Sequence, residues 1–114
     1  MTASRPPRCL PLDATNAHEL IDSVDVILSD CDGVLWTSVD SVVPGAADAI
    51  RKLKAMGKKV LYVTNNTNLS QQDYVKRFHR FGFDVADDEI FGAAYVTAQY
   101  LKHKLNYTGK VQLA

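Results

Sequence analysis

The sequence predicts an α/β fold built on a parallel sheet, and three observations predict it. Short apolar runs rich in β-branched residues alternate with segments of helical periodicity. The helical segments run to about a dozen residues, the length of a crossover between parallel strands. The two stronger apolar runs both stop abruptly in polar residues, D-C-D-G at 30–33 and T-N-N at 64–66. Strands end that way where they meet a binding crevice.

Taken in chain order, residues 1–14 are Pro-rich and patternless and read as a flexible arm. Thr15 or Asn16 is placed to cap a short helix over 17–23. Residues 24–29, with Val24, Val26, Ile27 and Leu28, read as a strand buried on both faces. Pro44-Gly45 opens a helix whose Ala46, Ile50, Leu53 and Met56 share one stripe, and Gly57 is its stop. The run K-V-L-Y-V at 59–63 is the second strand. Ser70 caps a helix with Tyr74, Val75, Phe78 and Phe81 on one face, ended by Gly82. Asp87-Asp88-Glu89 reads as a cap and solvated turn before a short extended piece at 89–91. A helix over 93–105 follows, with Val96, Tyr100 and Leu101 inward, and residues 110–113 read as the start of a further strand.

Composition narrows the class. The 114 residues are 46% hydrophobic and 23% charged, as in one soluble globular domain. Thirteen basic residues balance thirteen acidic ones, which removes the footprint of a nucleic-acid binder. No apolar run approaches the ~20 residues of a membrane span, and the N-terminus has no apolar stretch like a secretory signal. Cys9 and Cys31 make no disulfide framework, so reduced thiols and a cytoplasmic location are expected. His18, His79 and His103 lack metal-ligand spacing. Lys76, Arg77 and Arg80 read as a solvated helix face, and Tyr95 and Tyr100 as core or interface.

Set side by side, the two polar strand ends bring two carboxylates, a hydroxyl and backbone amides to one point. That set suits phosphoryl transfer. One carboxylate attacks phosphorus and forms an aspartyl-phosphate. The other, two residues on, protonates the leaving oxygen and later activates water. Gly33 permits a tight turn, Thr64 donates to a phosphoryl oxygen, and Mg²⁺ offsets the repulsion between carboxylates and phosphate. The bland alternative is a strand that ends in a polar turn.

D-C-D-G-V-L-W at 30–36 resembles the first motif (DxDGxxx) of the haloacid dehalogenase-like hydrolases. V-T-N-N-T at 63–67 resembles the second motif of the branch that contains 4-nitrophenyl phosphatases, phosphoglycolate phosphatase and pyridoxal phosphate phosphatase. The spacers V-V-P-G-A-A-D-A-I, L-K-A-M-G-K-K-V and A-A-Y-V-T-A-Q-Y-L are similar to that branch, so the resemblance spans residues 20–114. It implies a partial Rossmann-like parallel sheet with flanking helices, the first half of the core, without the cap domain. Residues 15–114 would form that incomplete core. By the same resemblance Asp30 is the nucleophile and a Mg²⁺ ligand. Asp32 is the general acid/base and meets Mg²⁺ through its main-chain carbonyl. Thr64 and the amide of Asn65 grip the phosphoryl group, Gly33 shapes the loop, and Asn66 orders it. The implied substrate is a small phosphorylated metabolite: phosphoglycolate, pyridoxal phosphate or an aryl phosphate. The implied partners exclude nucleic acid and membrane, with homo-oligomerisation an option for the full-length form.

The family pattern also needs a later lysine and a later acidic pair, and no residue after 66 fits either. Lys102, Lys104 and Lys110 belong to a helix end and a linker. A truncated phosphatase is therefore expected, with the first strand left as an exposed apolar edge. The alternative is a non-catalytic chain that is inactive or pairs with a full-length partner. A phospho-accepting receiver domain is a third reading, but its later strand would end in aspartate where Thr64 stands. Trp36 reads either as a lining of the substrate entrance or as an aromatic packing over a mobile flap.

Overall fold

The computed structural model describes residues 8–111. Much of the expected arm (residues 1–7) and the last two positions of the expected final strand (112–113) lie outside the described residues. The elements run α1 (Ala17–Asp22), β1 (Val26–Asp30), β2 (Trp36–Ser38), β3 (Ser41–Val42), α2 (Ala46–Ala55), β4 (Lys59–Thr64), α3 (Gln71–Arg80), β5 (Ile90–Gly92) and α4 (Ala93–Gln99). Strands β1, β4 and β5 form a parallel sheet in that spatial order. Its register pairs Ile27 with Val60, Asp30 with Val63, and Tyr62 with Ile90. The two crossovers step across the sheet in one direction, so right-handed connections put α2 and α3 on the same face.

That face holds the core. Val60, Tyr62, Thr64 and Ile90 point into it and are buried. Helix α2 contributes Ile50, and α3 contributes Tyr74 and Phe78, four residues apart on one helical face. Phe78 lies 4.5 Å from the Tyr62 ring and 5.0 Å, edge-on, from Trp36, the spacing aromatic pairs prefer. Helix α3 starts as the sequence requires: the Ser70 hydroxyl accepts from the Asp73 N–H at 3.1 Å. Gly57 and Gly82 follow α2 and α3 in left-handed conformation.

Several expectations are corrected. Strand β1 is not buried on both faces; it is the exposed apolar edge that the family pattern also implies, with Val26 47% and Leu28 67% exposed. Nothing among the described residues covers that side, so periodicity alone could not tell a buried strand from an uncovered one. Met56 is exposed rather than part of the α2 stripe. Neither Thr15 nor Asn16 caps α1 with its side chain; the Asn16 amide oxygen instead accepts from the Asp13 N–H. Helix α4 ends at Gln99 and widens into a π-turn over Tyr100–Lys104, where the Leu105 N–H reaches the Tyr100 carbonyl. Val96, Tyr95 and Tyr100 are exposed there, not inward. Lys110 and Val111 form no strand. The antiparallel β2–β3 hairpin was not legible, because strands of two and three residues carry no periodic signal.

Candidate active site

Strands β1 and β4 are parallel neighbours, so their polar ends emerge on the same edge of the sheet. Asp30 closes β1 opposite Val63, and Thr64 closes β4 one residue further on. The Asp30 side chain is solvent-exposed. Its Oδ1 accepts from the Cys31 N–H at 2.8 Å. Among the described residues its Oδ2 has no hydrogen-bond partner.

Between the carboxylates the chain turns once into the core. Cys31 is fully buried, and its carbonyl accepts from the Val34 and Leu35 N–H groups. Burial first, and then the negative charges of Asp32 and Asp30, push its thiol up to about 12. A thiol that stays neutral is neither a nucleophile nor a metal ligand, so the chemistry of the loop rests with the carboxylates. Gly33 has φ +84°, and a Cβ there would meet no atom within 4 Å. The backbone, not crowding, requires glycine, since other residues pay strain in that conformation. The Gly33 N–H donates to the Trp36 carbonyl at 2.8 Å and closes the loop.

Asp32 has both oxygens engaged. Oδ1 accepts from the Trp36 indole N–H at 2.9 Å, and Oδ2 lies 3.4 Å from the Thr64 hydroxyl that donates to it. Thr64 is buried. Its Oγ1 accepts from the Asn66 N–H at 3.1 Å and lies 3.3 Å from the Tyr74 hydroxyl. Burial pushes the Tyr74 phenol above its ordinary range, so it keeps a proton to donate. The Asn66 side chain accepts from the Asn68 N–H at 2.7 Å and orders the loop, while Asn65 is exposed beside it.

The structure thus joins Asp32 to Thr64 directly and sets Asp30 and Asn65 on the same edge. Trp36 does not line an entrance: it opens β2, is 1% exposed and packs its ring against Phe78, Phe81 and Phe83. Its bond to Asp32 and that of Tyr74 to Thr64 were missed in the sequence. The first left one signal, a lone tryptophan four residues after an aspartate; Tyr74 looked like any core residue. The basic face of α3 is also more than solvated. Arg80 donates to the Val39 carbonyl of the hairpin, and the Arg77 guanidinium sits 5.9 Å from the Trp36 ring centroid.

No group of three or more His, Cys, Asp or Glu side chains among the described residues forms a metal cage. The acid loop offers the Asp30 carboxylate and the Asp32 main-chain carbonyl. That small all-oxygen set fits Mg²⁺, which keeps several waters and takes one or two carboxylates. A cleft of about 640 Å³ between α4 and residues 106–111, lined by Ala94, Leu101, Tyr107 and Val111, contains none of these site residues. No helix among the described residues is long and apolar enough to cross a membrane.

Comparison with known proteins is consistent with this geometry. Residues 27–113 match the family model described as haloacid dehalogenase-like hydrolase. The chain is 43% identical over 103 residues to the glycerol-3-phosphate phosphatase of Homo sapiens, covering 86% of this chain and 32% of that protein. It is 40% identical over 87 residues to the chloroplastic phosphoglycolate phosphatase 1A of Arabidopsis thaliana, covering 76% and 24%. Among solved structures, the 4-nitrophenylphosphatase of Thermotoga maritima superposes with a TM-score of 0.66 at 30% identity, over 73% of this chain and 31% of that one. The chain therefore spans a third or less of the length of these relatives.

Proposed function

Because this chain belongs to the haloacid dehalogenase-like hydrolase family, we propose that its two strand-end loops are the phosphoryl-transfer part of a phosphatase acting on small phosphate monoesters. The observation that carries the reading is the asymmetry of the two carboxylates. Among the described residues Asp30 Oδ2 has no partner, as suits a nucleophile, whereas Asp32 is held at both oxygens. Asp30 Oδ2 attacks phosphorus; a bond to that oxygen forms as the ester P–O bond breaks. Asp32 gives its proton to the departing oxygen. It then takes a proton from water as the water oxygen attacks the same phosphorus, releasing phosphate and freeing Asp30. The Thr64 hydroxyl and the Asn65 N–H orient the phosphoryl oxygens, and Gly33 keeps the loop backbone close to them. The Asp30 carboxylate and the Asp32 carbonyl would hold Mg²⁺. When bound, the ion supplies positive charge between the carboxylates and the phosphate.

Residues 15–114 are read as a partial core preceded by an arm. Phosphoglycolate, pyridoxal phosphate, aryl phosphates and, from the human relative's name, glycerol 3-phosphate are the candidate substrates. A cytoplasmic location and a homo-oligomeric full-length form belong to the same proposal. Incubating the chain with 4-nitrophenyl phosphate and Mg²⁺, quenching in acid and mapping adducts by mass spectrometry tests it. The expected result is slow nitrophenolate release, since no residue after 66 supplies the lysine and acidic pair of the family pattern, together with a phosphate adduct on Asp30, both lost in Asp30→Asn. Neither product from the wild-type chain overturns it.

A second reading, a chain that pairs with a longer partner rather than turning over substrate, is favoured by the open edge of β1. Sedimentation of the chain with a full-length relative tests it: co-migration supports pairing, and independent migration rejects it.

A further inference from the structure

Trp36 touches no open surface, yet it is bonded to the proposed acid/base. Its indole ring is held by Phe78 edge-on at 5.0 Å, by Phe81 at 5.6 Å and by Phe83 edge-on at 6.4 Å. Rings on several sides fix the direction of the indole N–H, a group that can only donate. That N–H is spent on one acceptor, Asp32 Oδ1, at 2.9 Å. Asp32, by contrast, is exposed, and its carboxylate is held through hydrogen bonds, to the indole N–H at 2.9 Å and to the Thr64 hydroxyl at 3.4 Å. The indole, as the shorter of the two, therefore decides where the carboxylate points.

The consequence reaches the second loop. With Oδ1 on the indole, Oδ2 faces the Thr64 hydroxyl. Thr64 has one proton and two lone pairs. One lone pair takes the Asn66 N–H, and the other faces the Tyr74 hydroxyl. A proton donated by Tyr74 leaves the Thr64 proton one destination, Asp32. We infer that Trp36 is a positioning residue, which carries the rigidity of the aromatic core to the Asp32 carboxylate and through it aligns the acid loop with Thr64. The role rests on the phosphatase reading of Asp32; the bond itself does not.

Trp36 is the one tryptophan in the chain, so ¹⁵N-labelled protein shows a single indole N–H signal. Asp32→Ala is expected to move that proton upfield and to lower the melting temperature modestly, since it leaves the buried indole N–H without its acceptor, while circular dichroism stays close to wild type. Asp32→Asn keeps an acceptor oxygen and moves it less; Asp30→Ala leaves it in place. Trp36→Phe keeps a ring and removes the donor. With 4-nitrophenyl phosphate and Mg²⁺ it is expected to accumulate the Asp30 adduct, because water activation by a misplaced Asp32 slows by about 100-fold, whereas mere loss of fold would abolish the adduct. An indole signal unmoved in Asp32→Ala, or moved equally by Asp30→Ala, overturns the inference. Absence of both nitrophenolate release and the adduct in the wild-type chain overturns the phosphatase reading and leaves the indole result standing.

Discussion

The two faces of the β1-β4-β5 sheet are made from the same kinds of residue and have opposite fates. On one, Val60, Tyr62 and Ile90 lie under α2 and α3 and are almost wholly buried. On the other, Val26, Leu28 and Val63 remain 42–67% exposed. Apolar content does not separate them; the direction in which the chain crosses over does, because both helices land on one side. The difference teaches where stability resides: area removed from water stabilises at about 25 cal/mol per Å², and an apolar side chain left in water contributes none of it.

Truncating the covered face is the strongest way to break that contrast. Phe78→Ala, which empties the position between Tyr62, Trp36 and Phe83, is expected to cost about 3–5 kcal/mol in urea unfolding. A loss no larger than that of an exposed residue would show that the aromatic cluster is not the core. Loosening the cover without touching the sheet comes next. Ser70→Ala removes the α3 cap and should lower stability by about 1 kcal/mol.

The open face should be nearly indifferent in the same measurement. Leu28→Lys is expected to change unfolding free energy by less than about 0.5 kcal/mol while lowering self-association in sedimentation velocity. A charge on an exposed edge strand blocks edge-to-edge pairing. A large stability loss would mean that this face is covered after all.

The cysteines sharpen the contrast at the small end. Cys9 is exposed and Cys31 buried, so iodoacetamide should label Cys9 first and Cys31 only on unfolding. The thiol value of Cys31, raised from 9.0 to about 12, also sets a pH dependence. Below pH 9 both folded and unfolded states keep the proton, and there is no penalty. From pH 9 towards 12 only the unfolded state releases it, so stability falls as pH rises through that window. Cys31→Ala should flatten that alkaline limb in pH-dependent melting.

Much of this was legible in advance. Ser70 and Gly82 bracket α3 through local backbone chemistry, and K-V-L-Y-V reads as a strand by its own pattern. Asp30, Asp32, Gly33 and Thr64 stand out because polar residues that end apolar strands need a reason. The residues that went unread depend on distant partners. Tyr74 faces Thr64 only once α3 folds onto β4, and the hairpin at 36–42 is too short to announce itself. Arg80, taken as a solvated charge, reaches the Val39 carbonyl 41 residues away in sequence.

By itself the sequence determined the alternation of strands and helices, the two polar strand ends and the carboxylate pair, because each depends on neighbours within a few residues. Only the tertiary structure decided which face of the sheet is covered and that Asp32 is held between Trp36 and Thr64. The first follows from crossover direction, and the second from α3 packing onto Trp36 and from Thr64 meeting Asp32 across 32 residues of sequence, which no local pattern encodes.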